Sequence, residues 1–359
     1  MKVLHIEMGR HLYGGARQVA YLLDGLARYP GKHLLACAEG AEIMGAIANP
    51  AVRIFPLSFH GDMDLGFVHR LRGLIRTERP DLMHLHSRRG DALSILAGRA
   101  EHMGMVHSRR VDNPPRWIDV HLKFPCFERI ITISEGIRRV LLEAGVPARK
   151  LVCIPSAVDT KRYQPGGDMA WFRSEFNLDS DIASIGVIAQ WIPRKGHATL
   201  LDALPGVLRR FPRIQVLLFG KGPLEADLRD SIQVRGLESW VRLAGFRTDL
   251  ERVLPCLDLV VHPAWMEGLG VSLLETAACG VPILASRAGG IPEVVENGRN
   301  GYLLEPGDAS TLTHRMLELL TNPTLREELG RAGRERILQR FSLQNMVEGN
   351  FAVYTGLNH

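Results

Sequence analysis

Glu267-Gly268-Leu269-Gly270-Val271-Ser272-Leu273-Leu274-Glu275 is the stretch from which the fold reads out. Before it lies an apolar run, Leu257–His262, with the character of a buried parallel strand. After its glycines comes an apolar, alanine-containing helical pattern, Ser272–Cys279. Such a loop between strand and helix is an anion site, because backbone N–H groups and the positive end of the helix dipole point into it. Two carboxylates, Glu267 and Glu275, flank it. They suit an anionic ligand that also carries many hydroxyls, as a nucleotide-sugar does.

Outward from this unit, apolar runs at Ile182–Ala189, Ile214–Phe219, Val241–Ala244, Ile283–Ala285 and Gly301–Leu304 alternate with helical patterns. The first half repeats the rhythm, with strands expected at Val3–Glu7, His33–Ala38, Val52–Phe55, Leu82–His86, Met105–His107, Arg129–Ser134 and Leu151–Ile154. Amphipathic segments such as Ala16–Tyr29, Leu65–Thr77, Asp91–Glu101 and Glu135–Ala144 lie between them. Strands alternating with helices imply parallel sheets covered on both faces. Tyr163-Gln164-Pro165-Gly166-Gly167-Asp168 interrupts the alternation and reads as a linker. The expected fold is therefore α/β, two doubly wound Rossmann-like domains facing across a cleft. One spans residues 1–165 and the other 166–340, with a final helical segment over 341–359.

A chain of 359 residues with 46% hydrophobic and 23% charged residues has the composition of an ordinary globular protein. No apolar stretch reaches the ~18 residues of a spanning helix, and Met1–Glu7 runs into a strand without a signal-peptide pattern. Five scattered cysteines without a Cys-x-x-Cys pair argue for free thiols in a reducing cytoplasm and against a zinc site. The net charge of +5 is uneven: residues 1–165 hold 24 Lys+Arg against 16 Asp+Glu, and the remainder hold 20 against 23. A basic first half points to an anionic glycan or membrane surface, or to nothing beyond solubility. Nucleic acid is disfavoured, since no binding motif accompanies the charge.

Glu267-Gly268-Leu269-Gly270 followed by Leu274-Glu275-Thr276-Ala277 resembles the signature of the retaining, metal-independent glycosyltransferases of family 4, the two-Rossmann-domain (GT-B) type. The likeness continues through Gly280-Val281-Pro282, Gly289-Gly290-Ile291-Pro292-Glu293 and Asn300-Gly301-Tyr302-Leu303. Upstream it includes Lys195-Gly196, Gly220-Lys221-Gly222-Pro223 and Gly14-Gly15. It covers nearly the whole chain and is strongest over residues 186–308. It implies transfer from a nucleotide-diphosphate sugar, without metal or other cofactor, to a glycan or glycolipid hydroxyl such as lipopolysaccharide core. It also implies a peripheral position on the cytosolic face of the inner membrane, a first domain for the acceptor and a second for the donor. The last helix would cross back to the first domain. A nucleotide-sugar epimerase or a non-catalytic nucleotide-sugar-binding protein would share the fold.

On this resemblance Glu275 takes the donor ribose hydroxyls and Glu267 the donor sugar, while Gly268, Leu269, Gly270 and Val271 offer amides to the diphosphate. Ser272-x-x-Glu275 also fits a helix capping box. Lys195 and Arg194, past the carboxyl end of a strand, would neutralise the leaving diphosphate. The family's usual arginine is replaced by Gln190. Gly14 and Gly15 open a helix and would face the donor phosphate, though Arg17 stands where the family often has Glu. They lack the G-x-G-x-x-G spacing of a dinucleotide site. His84 and His86 lie along one strand and are expected to point one to each sheet face. His86 matches a family histidine near the transferred sugar. His107, Arg109 and Arg110 are candidates for an anionic acceptor, or a solvated basic loop. Gly220, Gly222, Phe246 and Arg247 would line the nucleotide end, and a core role for Phe246 stays open. Asp62-Met63-Asp64 and Asp179-Ser180-Asp181 read as structural, Asp64 as a helix N-cap, and no metal ligand set is expected.

Overall fold

A computed structural model describes residues 1–357. It divides the chain into two units. One comprises Met1–Ala157 with the segment from Leu343 onward, the other Val158–Ser342.

The first unit is built on seven parallel strands: β1 (Lys2–Glu7), β2 (Lys32–Ala38), β3 (Arg53–Leu57), β4 (Leu82–Leu85), β5 (Gly104–Arg109), β6 (Arg129–Thr132) and β7 (Leu151–Cys153). Their order is β3-β2-β1-β4-β5-β6-β7. The apolar strands read as continuous runs because both faces are covered. Along β1, Leu4 and Ile6 enter one core cluster and Val3 the other. The second cluster is completed by Leu22 and Leu26 and by Met346, Val347 and Tyr354 of the last helix, Leu343–Thr355. That helix, distant in sequence, thus supplies one wall of the first unit.

The second unit holds β8 (Ala183–Ile188), β9 (Ile214–Phe219), β10 (Val241–Gly245), β11 (Leu259–His262), β12 (Ile283–Ser286) and β13 (Gly301–Leu304). The order is β10-β9-β8-β11-β12-β13, again all parallel. Each expected strand is present, its ends displaced by no more than two residues. The doubly wound α/β reading holds for both units.

Two local readings change. Tyr163–Asp168 is packed into the second unit. Tyr163 is buried, its carbonyl accepts from Arg334 Nη1 at 3.3 Å, and Asp168 caps the helix Met169–Phe176 by accepting from Trp171 N at 2.9 Å. Proline and glycine there shape a tight approach: a Cβ on Gly167 would meet Cys256 Sγ at 2.3 Å. The unit boundary accordingly precedes this stretch, at Ala157/Val158. His84 and His86, expected on opposite faces, have ring centroids 3.8 Å apart. The reason is the period of the strand: side chains alternate with a period of two, so positions 84 and 86 fall on the same face and the opposite-face expectation misapplied the alternation.

Candidate active site

In an open parallel sheet, ligands bind outside the carboxyl ends of the strands where the strand order reverses. In the second unit that point lies between β8 and β11, which are hydrogen-bonded neighbours. Past the end of β8, a short turn at Pro193–Lys195 presents Lys195; past the end of β11, the glycine loop presents Glu267. Lys195 Nζ donates to Glu267 Oε2 at 2.5 Å, and His262 Nε2, at the end of β11, donates to the same oxygen at 2.9 Å. All three groups are largely buried. Burial opposes ionisation of Glu267, but the His262 hydrogen bond and the Lys195 charge prevail and hold its carboxyl at about 2. Glu267 is thus a fixed carboxylate. No described residue bonds its Oε1.

The helix after the loop begins at Val271, with Gly270 at the N-cap in the left-handed region at φ 90°. Ser272 Oγ donates to Ile188 O at 3.1 Å, so the capping box does not form. Glu275 is buried within the first turns of this helix, and Leu269 is fully buried in the core. Gly196 ends the Lys195 turn at φ 68°, where a Cβ would meet Pro263 O at 1.8 Å. The two loops are therefore packed backbone to backbone, which fixes Lys195 against Glu267. His197, next in the chain, is buried without a partner for either ring nitrogen, and burial lowers its pKa to about 4. Arg194 is exposed. Gly220 and Gly222 are required by packing: Cβ atoms there would meet Ala189 O at 2.0 Å and Trp191 O at 2.4 Å. Phe246 is half exposed, with Lys221 Nζ 4.8 Å from its ring centroid. Arg247 is engaged elsewhere, forking onto Asp249 at 2.8 and 2.7 Å and reaching Glu175 at 2.5 Å.

In the first unit the order reverses between β1 and β4. Glu7 ends β1 and His86 follows β4. Burial raises the Glu7 carboxyl, against the Gly9 amide and the Arg110 charge. Gly14 and Gly15 open the helix Gly14–Gly25 after Tyr13, and an added Cβ on Gly15 would lie 3.5 Å from Arg110 Cδ. Arg110 is half buried, and burial lowers its pKa to about 10. His107 and Arg109 are buried: His107 stacks on Phe127 with centroids 4.9 Å apart, and Arg109 Nη2 donates to Asn113 O at 2.5 Å. A solvated basic loop is therefore not what these residues form.

Residues 171–336 match the family model described as glycosyl transferases group 1, and residues 13–162 the model of glycosyltransferase family 4. The phosphatidyl-myo-inositol mannosyltransferase of Mycobacterium leprae is 30% identical over 302 residues, 80% of this chain and 78% of that protein. The chain belongs to the family 4 glycosyltransferases. A GDP-mannose-dependent monoacylated alpha-(1-6)-phosphatidylinositol monomannoside mannosyltransferase of Corynebacterium glutamicum is 32% identical over 206 residues. That match takes in 54% of this chain and 53% of the relative, so the chain spans about half the length of that relative. Among solved structures, Anabaena Alr3699/HepE, crystallised with UDP and glucose, has a TM-score of 0.87 at 19% identity, with 99% of each chain covered. That likeness is one of fold.

Within this family 4 chain, the structure gathers Lys195, Glu267, the Gly268–Val271 loop and Glu275 around one switch point, and Gly14, Gly15, His86 and Arg110 around the other. Arg247, His107 and Arg109 are held by their own neighbours. Sequence reasoning passed over His262, Glu7, His5, His33 and Tyr354. The available signal was polarity inside apolar strands: His262 closes Leu259–His262, and His5 and Glu7 stand in Lys2–Glu7.

Proposed function

We propose that the protein transfers a sugar, with retention and without a metal ion, from a nucleotide-diphosphate sugar to a hydroxyl of an anionic glycolipid or envelope glycan. The observation that carries this reading is the Lys195–Glu267–His262 cluster at the β8/β11 switch point, beside an uncapped helix N-terminus. Amides of Gly268–Val271 and the Lys195 ammonium receive the diphosphate, whose charge grows as the sugar departs. Glu267, ionised and acceptor-only, uses Oε1 for donor sugar hydroxyls. Glu275 takes the ribose diol. Exposed Arg194 adds positive charge at the rim, and Phe246 offers a face to the base. The first unit, with the basic excess, receives the acceptor through Arg110 and His86. An anionic membrane surface on its cytosolic side suits that charge. Among the described residues no helix is long and apolar enough to cross a membrane, and contact there would be peripheral.

A thermal-shift screen with UDP-, GDP- and ADP-sugars identifies the donor, since a ligand bound to the folded state raises its stability. Labelled donor with membrane extract then tests transfer. Label in lipid or polymer supports the proposal. Isomerised free sugar would replace it with an epimerase, and binding without turnover with a sensor.

A further inference from the structure

The first unit buries a row of three imidazoles, of which only His86 has a counterpart in the resemblance above. His33 on β2 is 6% exposed, His5 on β1 is fully buried and His86 after β4 is 2% exposed. His33 Nδ1 and His5 Nε2 are 3.2 Å apart, and His5 Nδ1 and His86 Nε2 are 2.9 Å apart. The row runs across three adjacent strands from the amino-terminal side of the sheet, where His33 pairs in register with Val3, to the carboxyl end. Its two outer atoms, His33 Nε2 and His86 Nδ1, are buried without a hydrogen-bond partner.

A neutral imidazole has one N–H and one bare nitrogen. If His33 Nδ1–H donates to His5, then His5 carries its proton on Nδ1 and donates to His86, which must carry its own on Nδ1. If the first bond runs the other way, all three carry the proton on Nε2. The two hydrogen bonds therefore force one shared tautomer on three rings. Every proton arrangement that keeps both bonds leaves one outer nitrogen as a donor and the other bare. Changing one end changes the other.

We infer that His5 and His33 are positioning residues that set the tautomer of His86 and relay its proton, letting His86 accept the acceptor hydroxyl's proton while remaining uncharged. This rests on the proposed transfer reaction. In the Nε2–H arrangement His86 Nδ1 is bare. As the acceptor oxygen bonds to the anomeric carbon, its O–H bond breaks and the proton goes to His86 Nδ1. The His86 Nε2 proton passes to His5 Nδ1, the His5 Nε2 proton to His33 Nδ1, and the His33 Nε2 proton leaves to water. The anomeric C–O electron pair departs with the nucleotide diphosphate. Each ring gains one proton and loses one. A relay of this form is what a buried imidazole needs to serve as a base. Burial keeps His5 and His86 well below the ordinary range and His33 at about 4, which disfavours storing the proton as imidazolium on any of them. On the exit side His33, whose Nε2 is itself closed to solvent, borders a cavity of about 350 Å³ shared with Lys2, Gly31 and Asn49.

The same cluster has a metal-like aspect, since ligand atoms of His5, His84 and His86 lie within 4.8 Å of one another. Four of the six nitrogens are already committed by His84 and His5, however, and His86 Nε2 is a fifth. His84 Nδ1 bonds Tyr354 Oη at 2.6 Å and Nε2 bonds Ser108 Oγ at 2.9 Å, while His5 uses both nitrogens within the row.

The test uses the full chain labelled with ¹⁵N-histidine. Nitrogen shifts of the wild type should report one common neutral tautomer for His5, His33 and His86. Unlike tautomers, an imidazolium, or a bound zinc ion in protein purified without chelator would overturn the inference. With the donor found by the thermal-shift screen, His33→Ala should lower kcat of transfer about tenfold or more with donor KM unchanged, and added imidazole should restore turnover through the cavity. Undiminished kcat, or loss that imidazole does not restore, would also overturn it. The NMR result does not depend on transferase activity. Failure of the donor-site reading would appear separately, as transfer that survives Lys195→Ala.

Discussion

Replacing Glu267 by glutamine keeps the shape of the side chain and removes its charge. In the wild type one oxygen, Oε2, takes both Lys195 Nζ at 2.5 Å and His262 Nε2 at 2.9 Å. Burial pushes the carboxyl up, and His262 and Lys195 together bring it from 4.5 down to about 2. At ~1.4 kcal/mol per pH unit this depression is worth about 3 kcal/mol to the folded state. The cost of leaving Lys195 buried opposite a neutral amide, estimated separately from broken buried pairs, is ~3–5 kcal/mol. A depressed carboxyl stabilises the protein above its unfolded pKa and loses that stabilisation as pH falls through the folded value. The wild type should therefore exceed Glu267→Gln by about 3 kcal/mol at pH 7 and by nearly as much at pH 5.5. The gap should close between pH ~4.5 and ~2, where the wild-type group also becomes neutral. Urea unfolding of the full chain at a series of pH values measures it. A difference below ~1 kcal/mol at pH 7, or one that stays constant down to pH ~2.5, would refute the coupling described here.

Lys195→Ala and Glu275→Ala should each lower transfer by ~10²-fold or more, the scale of losing a transition-state charge partner, while circular dichroism stays native. EDTA should leave turnover unchanged; loss restored by manganese would revive a metal route. Gly196→Ala should cost several times as much stability as Gly298→Ala. Both sit at positive φ, but a Cβ on Gly196 meets Pro263 O at 1.8 Å while Gly298 faces open space; melting temperatures of the two variants decide it. Ending the chain after Ser342 removes Met346, Val347 and Tyr354 from the first unit's core. Amide exchange should quicken in β1, β4 and β5 and stay slow in β8 and β11.

What was legible in the sequence was whatever depends on neighbours along the chain. Apolar runs of strand length, separated by glycine loops and amphipathic segments, gave the strands of both sheets, because parallel strands covered on both faces must be apolar throughout. Asp64 at the start of Leu65–Glu78 showed the same local logic, accepting from Phe67 N at 3.0 Å. What escaped depends on strand order. Lys195 and Glu267 meet only because β8 and β11 are neighbours while β9 and β10 turn away to the other side. The expectation of opposite faces for His84 and His86 fails because alternation has a period of two, which places positions two apart on one face. Tyr163–Asp168 has the sequence of a linker because proline and glycine mark both a flexible joint and a tight packed turn, and only the burial of Tyr163 separates the two.

The two switch points solve different electrostatic problems with the residues they hold. In the second unit a charged pair is kept buried, which is costly unless each partner has further bonds to make. Glu267 has a second donor in His262 and a spare oxygen. Lys195 has three N–H donors, of which the contacts described use one. On the proposed function, an arriving diphosphate binds the ammonium without displacing Glu267, and His262 keeps the carboxylate satisfied while Lys195 shares its charge. Were His262 replaced by phenylalanine, Lys195 alone would neutralise Glu267, and each gain toward the ligand would weaken that pair. Donor affinity should then fall although the changed side chain lies behind Glu267, and the loss should exceed that of Arg194→Ala at the exposed rim. Equal losses from the two variants would show that total positive charge, not the shared bonding of Lys195, governs capture.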